Sequence, residues 1–127
     1  MHQSEVPARA ASVPLVSERG RLATVALQAA RATAGVAGSD AGPAGLHRTR
    51  VGSAVLDGVA VIAEREGRFS VELSLVALPV PLHPLAAAVR ERLSNAAVAA
   101  GLGAQLGTID VEFTDVVESE APTMEPR

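Results

Sequence analysis

The chain contains no cysteine, no tryptophan and no tyrosine, and only two phenylalanines among its 127 residues. Without cysteine there are no disulfide staples, no thiolate metal ligands and no thiol nucleophile. Lysine is missing too, so all 11 basic residues are arginines, scattered from Arg9 to Arg127. A nucleic-acid binder needs a basic face or patch, and a net charge of −3 with dispersed arginines does not supply one. The densest basic cluster, His47-Arg48-Thr49-Arg50, falls in an expected loop and is read as solvated. Aromatics make up 2% of the chain and apolar residues 48%, so the core must be built from Val, Leu and Ala. Such side chains bury little area each, which implies modest stability.

Long hydrophobic runs are lacking as well. The two longest uncharged stretches, Leu73 to Val89 and Leu93 to Ile109, are broken by three prolines and by three glycines respectively. Both are too short and too interrupted to span a bilayer. The opening MHQSEVPARAASVPL lacks the continuous apolar stretch of a signal peptide. The expected location is cytoplasmic, with any attachment to the inner face of the cell membrane made peripherally, through a partner, and with no direct insertion.

What is present is periodicity. Val59, Val61 and Ala63, then Val71, Leu73 and Leu75, alternate with polar residues at the spacing of half-buried strands. Arg65-Glu66-Gly67 separates the two runs, and a three-residue loop built on a type I turn needs a left-handed residue at its last position. Gly67 supplies it. Glu64 then faces Arg68, Val61 faces Val71 and Val59 faces Leu73, which puts the apolar sets on one face. A helix follows from Leu85 to about Ala100, with Pro84 at its start and Gly101 and Gly103 beyond its end. Its stripe is Leu82, Leu85, Val89, Leu93, Ala96 and Ala100. A last strand, Thr108 to Val116, turns Ile109, Val111 and Phe113 one way and Asp110, Glu112 and Thr114 the other.

Upstream, Ser17 is placed to cap a helix with Glu18 in its first turn. Leu22, Val25, Ala29 and Val36 mark its buried side, Arg21, Thr24, Gln28 and Arg31 its polar side, and Gly35 its end. Residues from Gly38 to Gly52 read as a loop. The expected class is α+β: a two-layer α/β sandwich in which a small, mainly antiparallel sheet (the hairpin plus the C-terminal strand) packs against two helices. Residues 1–14 are expected to be a disordered tail, 15–116 a single domain, and 117–127 a disordered acidic tail.

Three segments together resemble the alkaline shock protein family, also called the envelope stress response family. They are the helix VALQAARATAGV ending at Gly35-Val36, the hairpin from Gly58 to Val61 and Val71 to Val76, and a third group. That group comprises Ala88 to Arg90, Gly101-Leu102 and the acidic strand Ile109 to Val116. The match rests on order and spacing across roughly residues 15 to 116. It departs at Leu78-Pro79-Val80-Pro81, where the family usually carries Tyr-Gly. The resemblance implies a non-catalytic bacterial interaction protein of the stress response. Such a protein would self-associate, pair with a family paralogue, or dock on a small membrane-anchored protein at the cell envelope.

Chemical motifs are sparse. His2, His47 and His83 are far apart in sequence, so no metal site is expected. Asp110 and Glu112 share a strand face, and paired carboxylates run acid–base chemistry only where a pocket shifts their pKa values. Beside Ser70, Glu72, Ser74 and Thr114 they read as solvating groups. A small enzyme or ligand-binding domain using that face stays an alternative. The tetrads Gly35-Val36-Ala37-Gly38 and Gly42-Pro43-Ala44-Gly45 keep a second alternative, a KH-like RNA-binding module, though both centres are uncharged. No Walker A, Rossmann or GxSxG pattern occurs. The chain is therefore expected not to be an enzyme, to hold no cofactor and to bind no nucleic acid. Leu56, Val76 and Leu78 are the expected interaction patch, because the hairpin register, extended, makes Leu56 and Val76 cross-strand neighbours on the polar face.

Overall fold

The computed structural model describes residues 16–118. The expected tails lie outside these residues, apart from Val117 and Glu118. Helix α1, Glu18–Arg31, opens with Ser17 Oγ accepting the Gly20 N–H at 3.0 Å, the expected cap. Strand β1, Val36–Ser39, follows a turn at Gly35, and a 3₁₀ turn covers Pro43–Gly45. Then come β2, Arg48–Val51; β3, Ala54–Asp57; β4, Val59–Ala63; and β5, Phe69–Ala77. Helix α2, Leu82–Ala99, leads through a 3₁₀ turn at Gly103–Gln105 into β6, Leu106–Val116.

Strand β5 is the axis of a mixed sheet. Along one edge it pairs antiparallel with β4 through residues 69–73 and with β1 through residues 75–77. Along the other edge it pairs parallel with β6 over its whole length. The hairpin register is the expected one, Val59 opposite Leu73 and Val61 opposite Val71. The C-terminal strand runs parallel to its neighbour because a strand–helix–strand connection returns the chain to the same end of the sheet. Strands β2 and β3 form a separate hairpin, an element that the glycine-rich 38–52 segment did not announce.

Both helices cover one face, so the molecule is a two-layer α+β fold. The core comes from Val59 and Val61 of β4, Val71, Leu73 and Leu75 of β5, and Leu22, Ala26, Val89 and Leu93 of the helices. Full burial of such Val and Leu side chains contributes about 1.5–3 kcal/mol each. Phe69 and Phe113 pack against this cluster as half-buried rings. Helix α2 begins three residues before the expected start, with Pro84 in its first turn, where a missing N–H breaks no helical bond. Its buried stripe is Leu85, Val89, Leu93 and Ala97, and Leu82 is left exposed. Arg21 Nη2 donates to the Ala100 carbonyl at 2.9 Å, which ties the start of α1 to the end of α2.

Candidate functional site

The expected patch does not assemble as expected. Leu56 sits opposite Thr49 in the separate hairpin and packs against the core. Val76 lies between Gly38 of β1 and Asp115 of β6, half-buried on the face away from the helices. Leu78 follows β5, also half-buried, with its N–H donated to the Gly35 carbonyl at 2.8 Å. The cause is Gly58, whose φ of +116° turns the chain out of the β4–β5 ladder before Leu56 is reached. A Cβ there would lie 2.5 Å from Ser39 Cβ, so β1 occupies the place that the extended register assigned to β3. Larger exposed apolar side chains sit elsewhere, notably Leu46 at 71% and Val98 at 68% exposure.

The polar sheet face is partly roofed by the chain from Asp40 to His47. Asp40 accepts hydrogen bonds from Thr114 Oγ1 at 2.7 Å, Ser74 Oγ at 2.9 Å and the Gly42 N–H at 2.9 Å. The Thr114 hydroxyl is the main cause holding this carboxyl below its ordinary value. Ser74, Gly42 and the nearby His47 add to it, against the opposing effect of desolvation. His47, its side chain 13% exposed, places Nε2 3.5 Å from Glu72 Oε1. The His47 backbone N–H donates to the Ala41 carbonyl at 2.8 Å. A cleft of about 330 Å³ is lined by His47, Glu72, Asp110 and Glu112, together with Leu73 and Val111.

Asp110 and Glu112 therefore do share a cleft, and the histidine that joins them was placed in a solvated loop by the sequence. No Ser or Thr side chain lines the cleft, and the nearby Ser74 hydroxyl is fully buried and donates to Asp40. Asp110 and Glu112 are exposed. No group of three or more His, Asp or Glu side chains fit to hold a metal ion occurs among the described residues. Neither GxxG tetrad lies between two helices. The first leads into β1, and the second spans the 3₁₀ turn. Arg48 Nε is 2.7 Å from Asp57 Oδ1 across the β2–β3 hairpin, so the basic cluster is partly neutralised in place.

The outer edge of the sheet is the other feature. The β4 ladder uses the backbone groups of Ser70, Glu72 and Ser74, as the Ser74 N–H to Gly58 carbonyl bond of 2.9 Å shows. Val71, Leu73 and Leu75 consequently turn their backbone groups to β6. On β6 the N–H and C=O groups of Ile109, Val111 and Phe113 are then left pointing outward. The Ile109 carbonyl accepts from Arg90 Nε at 3.2 Å. No strand pairs with this edge among the described residues. Arg68 Nη2 likewise reaches the Leu106 carbonyl at 3.4 Å, so the stretch without a side-chain cover begins at Val111. On strand β4, Arg19 Nε covers the Val61 carbonyl at 2.8 Å and Thr49 Oγ1 the Val59 carbonyl at 2.6 Å.

No family model, curated protein or solved structure matches this chain. Among the described residues, no helix is long and apolar enough to cross a membrane.

Proposed function

We propose that the chain is a non-catalytic interaction protein that self-associates, pairs with a paralogue, or docks on a small membrane-anchored partner. The resemblance to the alkaline shock family supports a cytoplasmic role in the envelope stress response. The single observation that carries the interaction reading is the outer edge of β6. Within the eleven-residue edge strand, Val111 and Phe113 turn out N–H and C=O groups and Ile109 an N–H that no strand pairs among the described residues. Such an edge is a template for pairing with another chain. Natural sheets commonly shield their edges, as this one does at β4.

Sedimentation velocity over a range of concentrations tests the reading, comparing the wild type with Val111→Pro. Val111 directs its N–H outward, so proline there removes an edge donor while leaving the β5–β6 ladder bonds in place. The expected result is a wild-type dimer or larger species that Val111→Pro shifts toward monomer, with an unchanged circular dichroism spectrum. A wild type that is monomeric throughout removes self-association from the proposal.

A second reading, a small ligand-binding or catalytic domain, draws on the cleft where His47 joins Glu72, Asp110 and Glu112. It predicts that His47→Ala abolishes binding of a small molecule in the cleft without altering sedimentation.

A further inference from the structure

We infer that the β6 edge takes an extended segment with alternating basic and apolar side chains, added to the sheet as a further strand. The inference rests on the interaction reading above and specifies the chemistry of the partner. Two properties of the edge select this occupant.

The first is backbone geometry. Ile109, Val111 and Phe113 each aim an N–H outward, and the carbonyls of Val111 and Phe113 do the same, at the two-residue repeat of a strand. A peptide laid alongside gains main-chain hydrogen bonds whatever its sequence, and alternate side chains then decide which sequence fits.

The second is the pair of surfaces on either side of that backbone row. On the face away from the helices the edge carries Asp110, Glu112 and Asp115, with Glu72 on the neighbouring strand. From Leu106 to Glu118 there are four acidic residues and no basic one. On the helix side Ile109, Val111 and Phe113 are half-buried against the core and leave part of their apolar surface in water. An added strand therefore places one set of side chains against carboxylates and the other against aliphatic and aromatic surface. Arginine or lysine suits the first set and valine, isoleucine or leucine the second. A second copy paired about a two-fold axis through Val111 fits less well, since Asp110 of one protomer would face Glu112 of its partner. Like charges directly opposite one another destabilise a cross-strand pair.

The test uses a short fluorescein-labelled peptide of alternating arginine and valine, followed by fluorescence anisotropy against the full chain. Two further peptides carry N-methyl groups on the arginines only or on the valines only. In a strand, alternate residues direct their N–H groups to opposite sides, so only one methylated set faces β6. The expected result is saturable binding that one methylated peptide loses by at least about tenfold while the other retains it. Asp110→Asn combined with Glu112→Gln should weaken binding several-fold, with a smaller salt dependence. No binding, equal binding by all three peptides, or equal loss with both methylated forms overturns the inference. The first outcome denies the occupant, and the others reduce it to charge adsorption or peptide stiffening. Self-association, read by sedimentation, stands or falls separately from these results.

Discussion

At the scale of single residues, Asp40 ties the loop to the sheet. Its carboxylate collects three donors, two of them from β5 and β6, 34 and 74 residues away in sequence. Ser74 is fully buried, so removing its acceptor leaves a desolvated hydroxyl. Asp40→Ala should destabilise the chain by about 1–3 kcal/mol, measured by urea denaturation at neutral pH. The carboxyl is held below its ordinary value of 3.8, chiefly by the Thr114 hydroxyl. A folded-state value below the unfolded one means that the ionised form stabilises the fold. That contribution is complete above the unfolded value and disappears as pH falls through the lowered folded one. Asp40→Asn has no charge to lose, so its stability gap from the wild type should narrow as pH drops below 3.8. A gap that stays constant into strong acid would show that the ionised carboxylate is not what holds the loop.

The element that tests local backbone chemistry is the β4–β5 hairpin. Its apolar alternation made the register legible in the sequence, and Gly67 has the positive φ that the loop was expected to require, at +76°. The turn itself differs from the expected type I geometry. Glu66 is also left-handed, at φ 60° and ψ 35°, and the Arg68 N–H bonds the Arg65 carbonyl at 3.2 Å. Two successive left-handed central residues make a type I′ turn, whose twist matches that of the flanking strands. Glutamate is a poor choice at this position, because a left-handed conformation costs an L-residue roughly 1–2 kcal/mol. Asparagine tolerates it. Glu66→Asn is therefore expected to raise the midpoint of thermal unfolding, by the equivalent of about 0.5–1 kcal/mol. An unchanged or lower midpoint would mean that the glutamate side chain supplies a compensating interaction. Elements with strong periodicity were legible in this way: both helices, the hairpin and β6. Strands β1, β2 and β3 were not, being only four residues each and set among glycines. The parallel placement of β6 depends on the α2 crossover, and a strand's own pattern does not record its partner. The cleft was half legible. Asp110 and Glu112 share a face by simple alternation, whereas His47 is brought to them by long-range bonds, those of Asp40 and the Gly58 N–H donated to the His47 carbonyl at 2.7 Å.

For the whole molecule, the question is how an acidic chain with an open sheet edge associates. Two-fold pairing through β6 brings Asp110 against Glu112 of the second copy, so charge opposes it while backbone bonding and apolar contact favour it. Screening weakens the repulsion, as the Debye length falls from about 10 Å at 0.1 M salt to about 3 Å at 1 M. Self-association through this edge should therefore strengthen with added salt, whereas docking of a basic segment should weaken. Amide hydrogen exchange followed by NMR separates the two with residue resolution. In dilute, low-salt solution the amides of Ile109, Val111 and Phe113 should exchange quickly. Those of Asp110, Glu112 and Thr114, which face β5, should be protected. Raising protein concentration and salt together should then protect the first set, in parallel with a rise in sedimentation coefficient. Association that leaves Ile109, Val111 and Phe113 exchanging freely would move the self-contact to another surface. Protection of those three amides already in dilute solution would mean that the chain covers its own edge, and both the self-pairing and the added-strand models would fail together.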